Sequence, residues 1–421
     1  MVKLVIIADD LTGALDTGVQ FSKKNISTAV VADINLNFEK EFTDIDVVVV
    51  DTESRHIPQE EAKERVKKVI SKFDRKKVKF FYKKVDSTLR GNLGSEIEGF
   101  MEELDINEAV FVPAFPFGKR IVKDGVLYVD GKKLAETSFG NDILNPVKHS
   151  FIPDIIREQT DIETAVIKIE GSILKTDKKR KIYLFDGETM ADMVKIGEKL
   201  NESNLLNYTI GNAGFAEILA SYIESDSMKP DISIEDERIF FICGSVNVIS
   251  LKQCSYAEKI GYNCKNLKFD EITTDLYKYS ESYMTDKKEI EDQLDRDKRV
   301  LLKTSEFDDV ITRAVNYSKE KNISIEKITH NVAANTGVLV SEIVKDKRIQ
   351  NLIVFGGDTL IGILKHLEYR YIVPLAEILP GIVFTKVIMN EGINLNIITK
   401  AGGFGEEDIV EKIDKFIKMR I

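Results

Sequence analysis

Asp9 and Asp10 stand side by side directly after a short apolar run, Leu4–Ala8. A carboxylate so placed can orient a substrate hydroxyl or take its proton, which is what kinases ask of a catalytic aspartate. The plainer role is to cap the helix around Thr12, and at least one of the two is expected to do that. Two further clusters also follow apolar runs: Asp51-Thr52-Glu53-Ser54-Arg55 after Val47–Val50, and Lys83-Lys84-Val85-Asp86-Ser87-Thr88-Leu89-Arg90-Gly91 after Val78–Tyr82. Arg55, Lys83, Lys84 and Arg90 suit a carboxylate or phosphate, and an arginine can hold either bidentately. One loop cation is ordinarily just solvated. A cluster of them beside Asp86, Ser87, Thr88 and Gly91 reads as an anion-binding site, with His56 as a candidate lining residue.

The second half carries a different chemistry. Gly356-Gly357-Asp358-Thr359 lies between an apolar run and a helical pattern. Glycines there let backbone N–H groups approach a phosphate, and a helix N-terminus favours negative charge. Alone, the turn fits a capped strand-to-helix connection equally well. Gly402-Gly403-Phe404-Gly405 and Gly244-Ser245 repeat the arrangement, and three such strand ends favour a nucleotide or phosphate site. Lys400 adds a cation beside it, and Asp358 is a candidate either to position magnesium or to cap. No Gly-x4-Gly-Lys-Ser/Thr string is present, which excludes a Walker P-loop; no Gly-x-Gly-x-x-Gly string is present, which argues against a dinucleotide. A Gly-x-Ser-x-Gly elbow is also absent. His56, His149, His330 and His366 show no metal-binding spacing, so no metal ligands are assigned.

These clusters need elements to hold them. Continuous apolar runs alternate with amphipathic segments, and that grammar implies parallel sheets covered by helices on both faces. Each polar cluster then sits beyond a strand's carboxyl end, where such sheets bind ligands. Asp124-Gly125 and Asp130-Gly131 bracket a short strand and predict a hairpin, readable as a flap over the site or as a homodimer contact. The polar stretch Glu224–Glu237, with Pro230, is the expected boundary between two domains, 1–227 and 228–421.

A chain of 421 residues exceeds what one core usually serves. Its 43% hydrophobic and 31% charged residues suit a folded soluble protein. The net charge of −10 argues against nucleic acid or anionic lipid as a partner. Three cysteines without Cys-x-x-Cys spacing fit a reducing cytoplasm, and no apolar stretch approaches a membrane span.

Ile7-Ala8-Asp9-Asp10-Leu11-Thr12-Gly13-Ala14 resembles the opening motif of the four-carbon acid sugar kinase family. Lys84-Val85-Asp86-Ser87-Thr88-Leu89-Arg90-Gly91-Asn92 resembles its second hallmark, and Pro113-Ala114-Phe115-Pro116 with Gly125 and Tyr128 its third. Gly211–Ala216, Gly244-Ser245, Gly356–Thr359 and Lys400–Gly405 are similar to later family motifs, in the family's order. Ala401 stands where many members carry a small hydroxyl residue. The resemblance implies an N-terminal sugar-acid domain, a C-terminal ATP domain and transfer across the cleft between them. It implies substrate contacts at Asp10, Arg55 and Lys83 through Ser87, and ATP contacts at Ser245, Gly356 through Thr359, and Gly402.

The reading is therefore an α/β protein of two domains that phosphorylates the terminal hydroxyl of a tetronate with Mg2+ and ATP. Asp10 is expected as the base or orienting group and Asp86 as a second catalytic or positioning group. Asp9, Arg55, Lys83, Lys84, Ser87 and Arg90 are expected to hold the sugar acid. Ser245, Gly356, Gly357, Asp358, Thr359, Lys400, Gly402 and Gly403 are expected to hold the nucleotide. A sugar-acid-binding protein without catalysis would not need these glycine loops, and a nicotinamide-dependent dehydrogenase would need the missing dinucleotide fingerprint.

Overall fold

The computed structural model describes residues 1–142, 145–171, 179–227, 232, 234–305, 309–391, 394–400 and 403–420. It consists of two compact units, Met1–Lys229 and Pro230–Ile421.

In the first unit the chain runs through β1 (Leu4–Ala8), β2 (Thr28–Val31), β3 (Val47–Asp51), β4 (Phe80–Lys84), β5 (Glu108–Val112), β6 (Arg120–Lys123), β7 (Val126–Val129), β8 (Lys132–Lys133), β9 (Glu163–Ile167), β10 (Lys181–Phe185) and β11 (Tyr208–Gly211). The main sheet has the order β2-β3-β1-β4-β11-β5-β10-β9, and every neighbouring pair in it is parallel. The composition of the central strands explains this. Leu-Val-Ile-Ile-Ala and Val-Val-Val-Val offer apolar side chains to both faces, and β1 to β4 are buried throughout. Helix Leu11–Ser22 covers the sheet with Leu11, Ala14, Leu15, Val19 and Phe21, while helices Gln59–Ile70 and Leu93–Glu103 pack together. The smaller antiparallel sheet β6-β7-β8 turns at Asp124-Gly125 (φ 50° and 74°) and Asp130-Gly131 (φ 50° and 79°). Positive φ at both residues of a two-residue loop is what a type I′ hairpin requires.

One boundary differs from the sequence expectation in a way that matters. Lys83 and Lys84 are the last residues of β4, not the start of the loop after it: Lys83 pairs with Ile7 and Lys84 with Gly211. Adjacent strand residues point to opposite faces of the sheet, so these two lysines cannot serve one ligand side by side.

The second unit holds β12 (Ile239–Cys243), β13 (Asn263–Asn266), β14 (Arg299–Lys303), β15 (Asn351–Phe355), β16 (Tyr369–Leu379), β17 (Ile382–Met389) and β18 (Leu395–Lys400). Their order is β13-β14-β12-β15-β18-β17-β16. The first five are parallel, and β17 and β16 extend the sheet antiparallel. The closing amphipathic helix, Ile409–Lys418, buries Ile409, Val410, Ile413 and Ile417 on the sheet with Phe241, Phe355 and Phe384. No helix among the described residues is long and apolar enough to cross a membrane.

Candidate active site

The winding of the first sheet reverses at β1: β2 and β3 lie on one side of it, and β4 and later strands on the other. Ligands of open parallel sheets collect beyond the carboxyl ends at such a point. Three of the polar clusters leave β1, β3 and β4, so topology alone brings them together. Arg55 is their node. Its Nε donates to Asp9 Oδ2 at 2.7 Å and its Nη2 to Asp10 Oδ1 at 2.6 Å, and Nη2 lies 3.9 Å from Asp86 Oδ1. Asp86 also accepts from Arg90 at 2.8 and 3.2 Å and from the Thr88 hydroxyl at 2.5 Å. Lys84 Nζ stands 4.0 Å from Asp9 Oδ1. A Cβ at Gly13 would collide with Asp10 Oδ1 and Lys84 Nζ, so a glycine in the first turn makes room for both charges. Ser87 is half-buried at the same strand end.

Asp10 occupies the N-cap position of helix Leu11–Ser22, but its side chain makes no capping hydrogen bond. The expected cap is corrected on this point: the carboxylate turns to Arg55, because a charge-assisted bond outcompetes a neutral N–H. The electrostatics separate the three aspartates. Burial works to raise the Asp9 and Asp86 pKa values, but Arg55 with Lys84 and Lys83 at Asp9, and Arg90 with Arg55 at Asp86, more than reverse it. Both carboxyls are held below their ordinary range, Asp86 far below. That makes Asp86 a weak proton acceptor, suited to positioning. Asp10 is the most exposed of the three, at 25% against 3% for Asp9 and 11% for Asp86.

Lys83 is not on the ligand side. It is 0% exposed, and its Nζ is committed to Glu96 Oε2 at 2.9 Å, Lys84 O at 2.7 Å and Ile7 O at 3.3 Å. The expectation that it holds substrate is corrected for the pleat reason given above. Glu96 and Ser54, whose hydroxyl donates to Glu96 Oε1, were missed from the sequence. The signal was there: Glu96 shares a helical face with Leu93, Ile97 and Phe100, all buried, and a charged residue on an apolar face asks for a partner. His56 meets Asn145 at 2.6 Å from Nδ1 at the rim.

Asp51 is a carboxyl of another kind. It is fully buried; Oδ1 accepts the Glu53 N–H at 2.9 Å, and Oδ2 meets no donor among the described residues. Burial, reinforced by Asp10, Glu53 and Asp9, pushes its pKa well above the usual carboxylate range. A group whose pKa is raised by folding contributes stability below its unfolded pKa and loses it as pH rises toward the folded value. Asp51→Asn keeps the Glu53 bond and removes that loss. Its thermal midpoint should exceed the parent's by a margin that widens as pH rises above the ordinary carboxylate range. A margin that does not vary with pH would show Asp51 to be ionised in the folded protein.

In the second unit β12, β15 and β18 are neighbours. Gly244-Ser245, Gly356–Thr359 and the segment after Lys400 leave their carboxyl ends; Gly402 lies outside the described residues. Gly356 has φ 118°, closed to other residue types, and helix Gly357–Leu364 starts at once, with Gly357, Asp358 and Thr359 in its first turn. A Cβ at Gly244 would strike the Thr359 hydroxyl, so the two loops fit only with glycine there. Ser245 Oγ accepts the Asn247 N–H at 3.3 Å, and Asn247 caps helix Val248–Lys259. Gln253, unnoticed in the sequence, donates to the carbonyls of Phe404, Gly405 and Glu406 at 3.0–3.2 Å and pins the loop beyond exposed Gly403. Lys400 is 2% exposed, with Nζ 4.9 Å from the Phe355 ring centroid. Burial pushes its pKa down to about 8.

Residues 4–219 match the family model of a sugar-binding N-terminal domain, and residues 240–410 that of a nucleotide-binding C-terminal domain. The chain belongs to the four-carbon acid sugar kinase family. It is 26% identical to a D-erythronate kinase of Heliobacterium modesticaldum, over 97% of this chain and 95% of that one. Identity to a D-threonate kinase of Salmonella typhimurium is also 26%, over 96% of each. A 3-oxo-tetronate kinase of Escherichia coli is 30% identical over 40% of this chain and 44% of its own length. The crystal structure of a Salmonella typhimurium LT2 protein has a TM-score of 0.79 at 21% identity, covering 98% of this chain and 99% of that one. That likeness speaks for the fold alone. As a family member the protein is a phosphotransferase acting on a sugar acid, with a nucleotide as the second substrate.

Proposed function

We propose that this kinase transfers the γ-phosphoryl group of ATP to the terminal hydroxyl of a four-carbon sugar acid, with D-threonate, D-erythronate and 3-oxo-tetronate as the candidates. The observation that carries the reading is the Arg55 node: one guanidinium tied to Asp9 and Asp10 and facing Asp86, at the switch point of a sheet. Lys84, Arg90 and Ser87 offer the sugar acid cations and a hydroxyl. Asp10, with one oxygen on Arg55, keeps the other for the attacking hydroxyl. In-line transfer asks for positioning and charge neutralisation more than covalent chemistry.

On the nucleotide side, Ser245, Gly356–Thr359 and Gly403 supply backbone and hydroxyl donors, and Lys400 a cation. No group of three or more His, Cys, Asp or Glu side chains gathers as a cation cage among the described residues. Magnesium sites built from substrate phosphates need only one or two protein carboxylates, and exposed Asp358 in the first helical turn fits that role. Bound there, the ion would neutralise charge on the phosphates.

The test is ADP release from Mg-ATP with D-threonate, D-erythronate, L-threonate and 3-oxo-tetronate. Turnover with one tetronate well above the others bears the reading out; silence with all four refutes it. The role of Lys400 has its own signature. Below about pH 8 its ammonium is charged, so kcat/KM for ATP should fall as pH rises through that value. Lys400→Met should show a lowered value without that inflection; an unchanged profile would remove Lys400 from the phosphates.

A further inference from the structure

We propose that Glu96 is the positioning residue of the sugar-acid site, acting through Ser54 on Arg55; the functional meaning of this rests on the reading above. Glu96 is 2% exposed and uses both carboxylate oxygens. Oε2 takes the Lys83 ammonium at 2.9 Å, and Oε1 takes the Ser54 hydroxyl. The same ammonium donates to Ile7 O and Lys84 O. One buried ion pair therefore ties the end of β1, the end of β4 and the exit from β3 to helix Leu93–Glu103.

Ser54 is where this network reaches the ligand side. Its N–H and that of Arg55 both donate to Asp9 O, at 3.1 and 3.3 Å. Its carbonyl accepts from Asn92 Nδ2 at 2.8 Å, and its hydroxyl also meets Thr52 Oγ1 at 2.6 Å. Arg55 follows directly, and its guanidinium must then span carboxylates from two other segments. A guanidinium bridging separate carboxylates tolerates little backbone drift, because each bond is directional. Nothing in the reaction asks a buried Lys-Glu pair to touch substrate. Glu96 in that pair serves to hold the Ser54 hydroxyl and so fix the backbone from which Arg55 is aimed, as supporting hydrogen bonds do behind other sites.

Single substitutions at Lys83 or Glu96 strand a buried charge and can unfold the protein, so paired variants are the test. Lys83→Met/Glu96→Gln removes both charges and leaves a carbonyl to accept from Ser54. Lys83→Met/Glu96→Leu removes both charges and the acceptor. The Gln pair should restore the parent's KM for the tetronate. The Leu pair should raise that KM by about 10- to 100-fold, leave the KM for ATP unchanged, and speed hydrogen exchange at the Ser54 and Arg55 amides. Ser54→Ala, which keeps the ion pair, should behave like the Leu pair. If the Gln and Leu pairs match in KM and in exchange, or Ser54→Ala is silent, the inference is overturned. Exchange needs no substrate. A parent enzyme silent toward every tetronate would therefore refute the proposed function while the amides still decide the role of Glu96.

Discussion

Asp10→Asn should lower kcat by about 10²- to 10⁴-fold and leave the fold intact, the range typical for removing a positioned general base. The substitution is isosteric, and the amide oxygen can still accept from Arg55 Nη2, now held at 2.6 Å by the carboxylate. Asp9, at 2.7 Å from Nε, continues to orient the guanidinium. What disappears is the capacity of the other oxygen to take a proton. The neighbouring carboxylates cannot replace it. Asp9 is 3% exposed, and Asp86 is held far below its ordinary pKa by Arg90 and Arg55 despite burial. The measurement is kcat from ADP release, with thermal midpoint and tetronate KM on the same preparations. A large fall in kcat with the other two little changed supports the role. Near-normal turnover would take Asp10 out of the chemistry and leave it as a partner of Arg55.

Much of this was legible in the chain. Continuous runs such as Val47–Val50 announce strands buried on both faces, and the polar residues after them mark ligand ends wherever the strands sit in the sheet. Which ends converge was not legible, because strand order is a property of the whole fold: β1, β3 and β4 are neighbours although their sequence order is interrupted by β2. The Lys83-Lys84 pair failed for a local reason. Two adjacent cations look alike in a loop, but hydrogen bonds to β1 and β11 carry β4 through both and send them to opposite faces. Charge type also hid function from structure. Asp9, Asp51 and Asp86 read alike in sequence; one is ion-paired, one has an oxygen without a donor among the described residues and one is held by two arginines, differences that only three-dimensional neighbours create. Gln253 carried no signal at all, since a polar helix residue shows its three carbonyl partners only after the chain has folded back.

Removing Arg55 should have the largest effect of any single change in the first unit. Arg55→Met takes two short charge-assisted bonds from Asp9 and Asp10 and the nearest second cation from Asp86. Breaking a buried pair by deleting one partner typically costs about 3–5 kcal/mol, because the remaining charge keeps its desolvation penalty. Asp9 is the stranded partner, left with Lys84 at 4.0 Å and the weaker influence of buried Lys83. The loss has a pH signature. In the parent, Asp9 and Asp86 have depressed pKa values, so their contribution is present above the unfolded carboxylate pKa and is lost as pH falls through the folded values. Without Arg55 that contribution shrinks. The gap in thermal midpoint between parent and variant should therefore be widest near neutral pH and close on acidification. Asp9→Asn added to Arg55→Met neutralises the stranded carboxylate and should recover part of the stability, since neighbouring sites couple rather than add. It should recover no turnover, because nothing then spans Asp10 and Asp86. Recovery of both would mean that Arg55 serves the fold alone, and the sugar acid would have to be held by Lys84 and Arg90 without it.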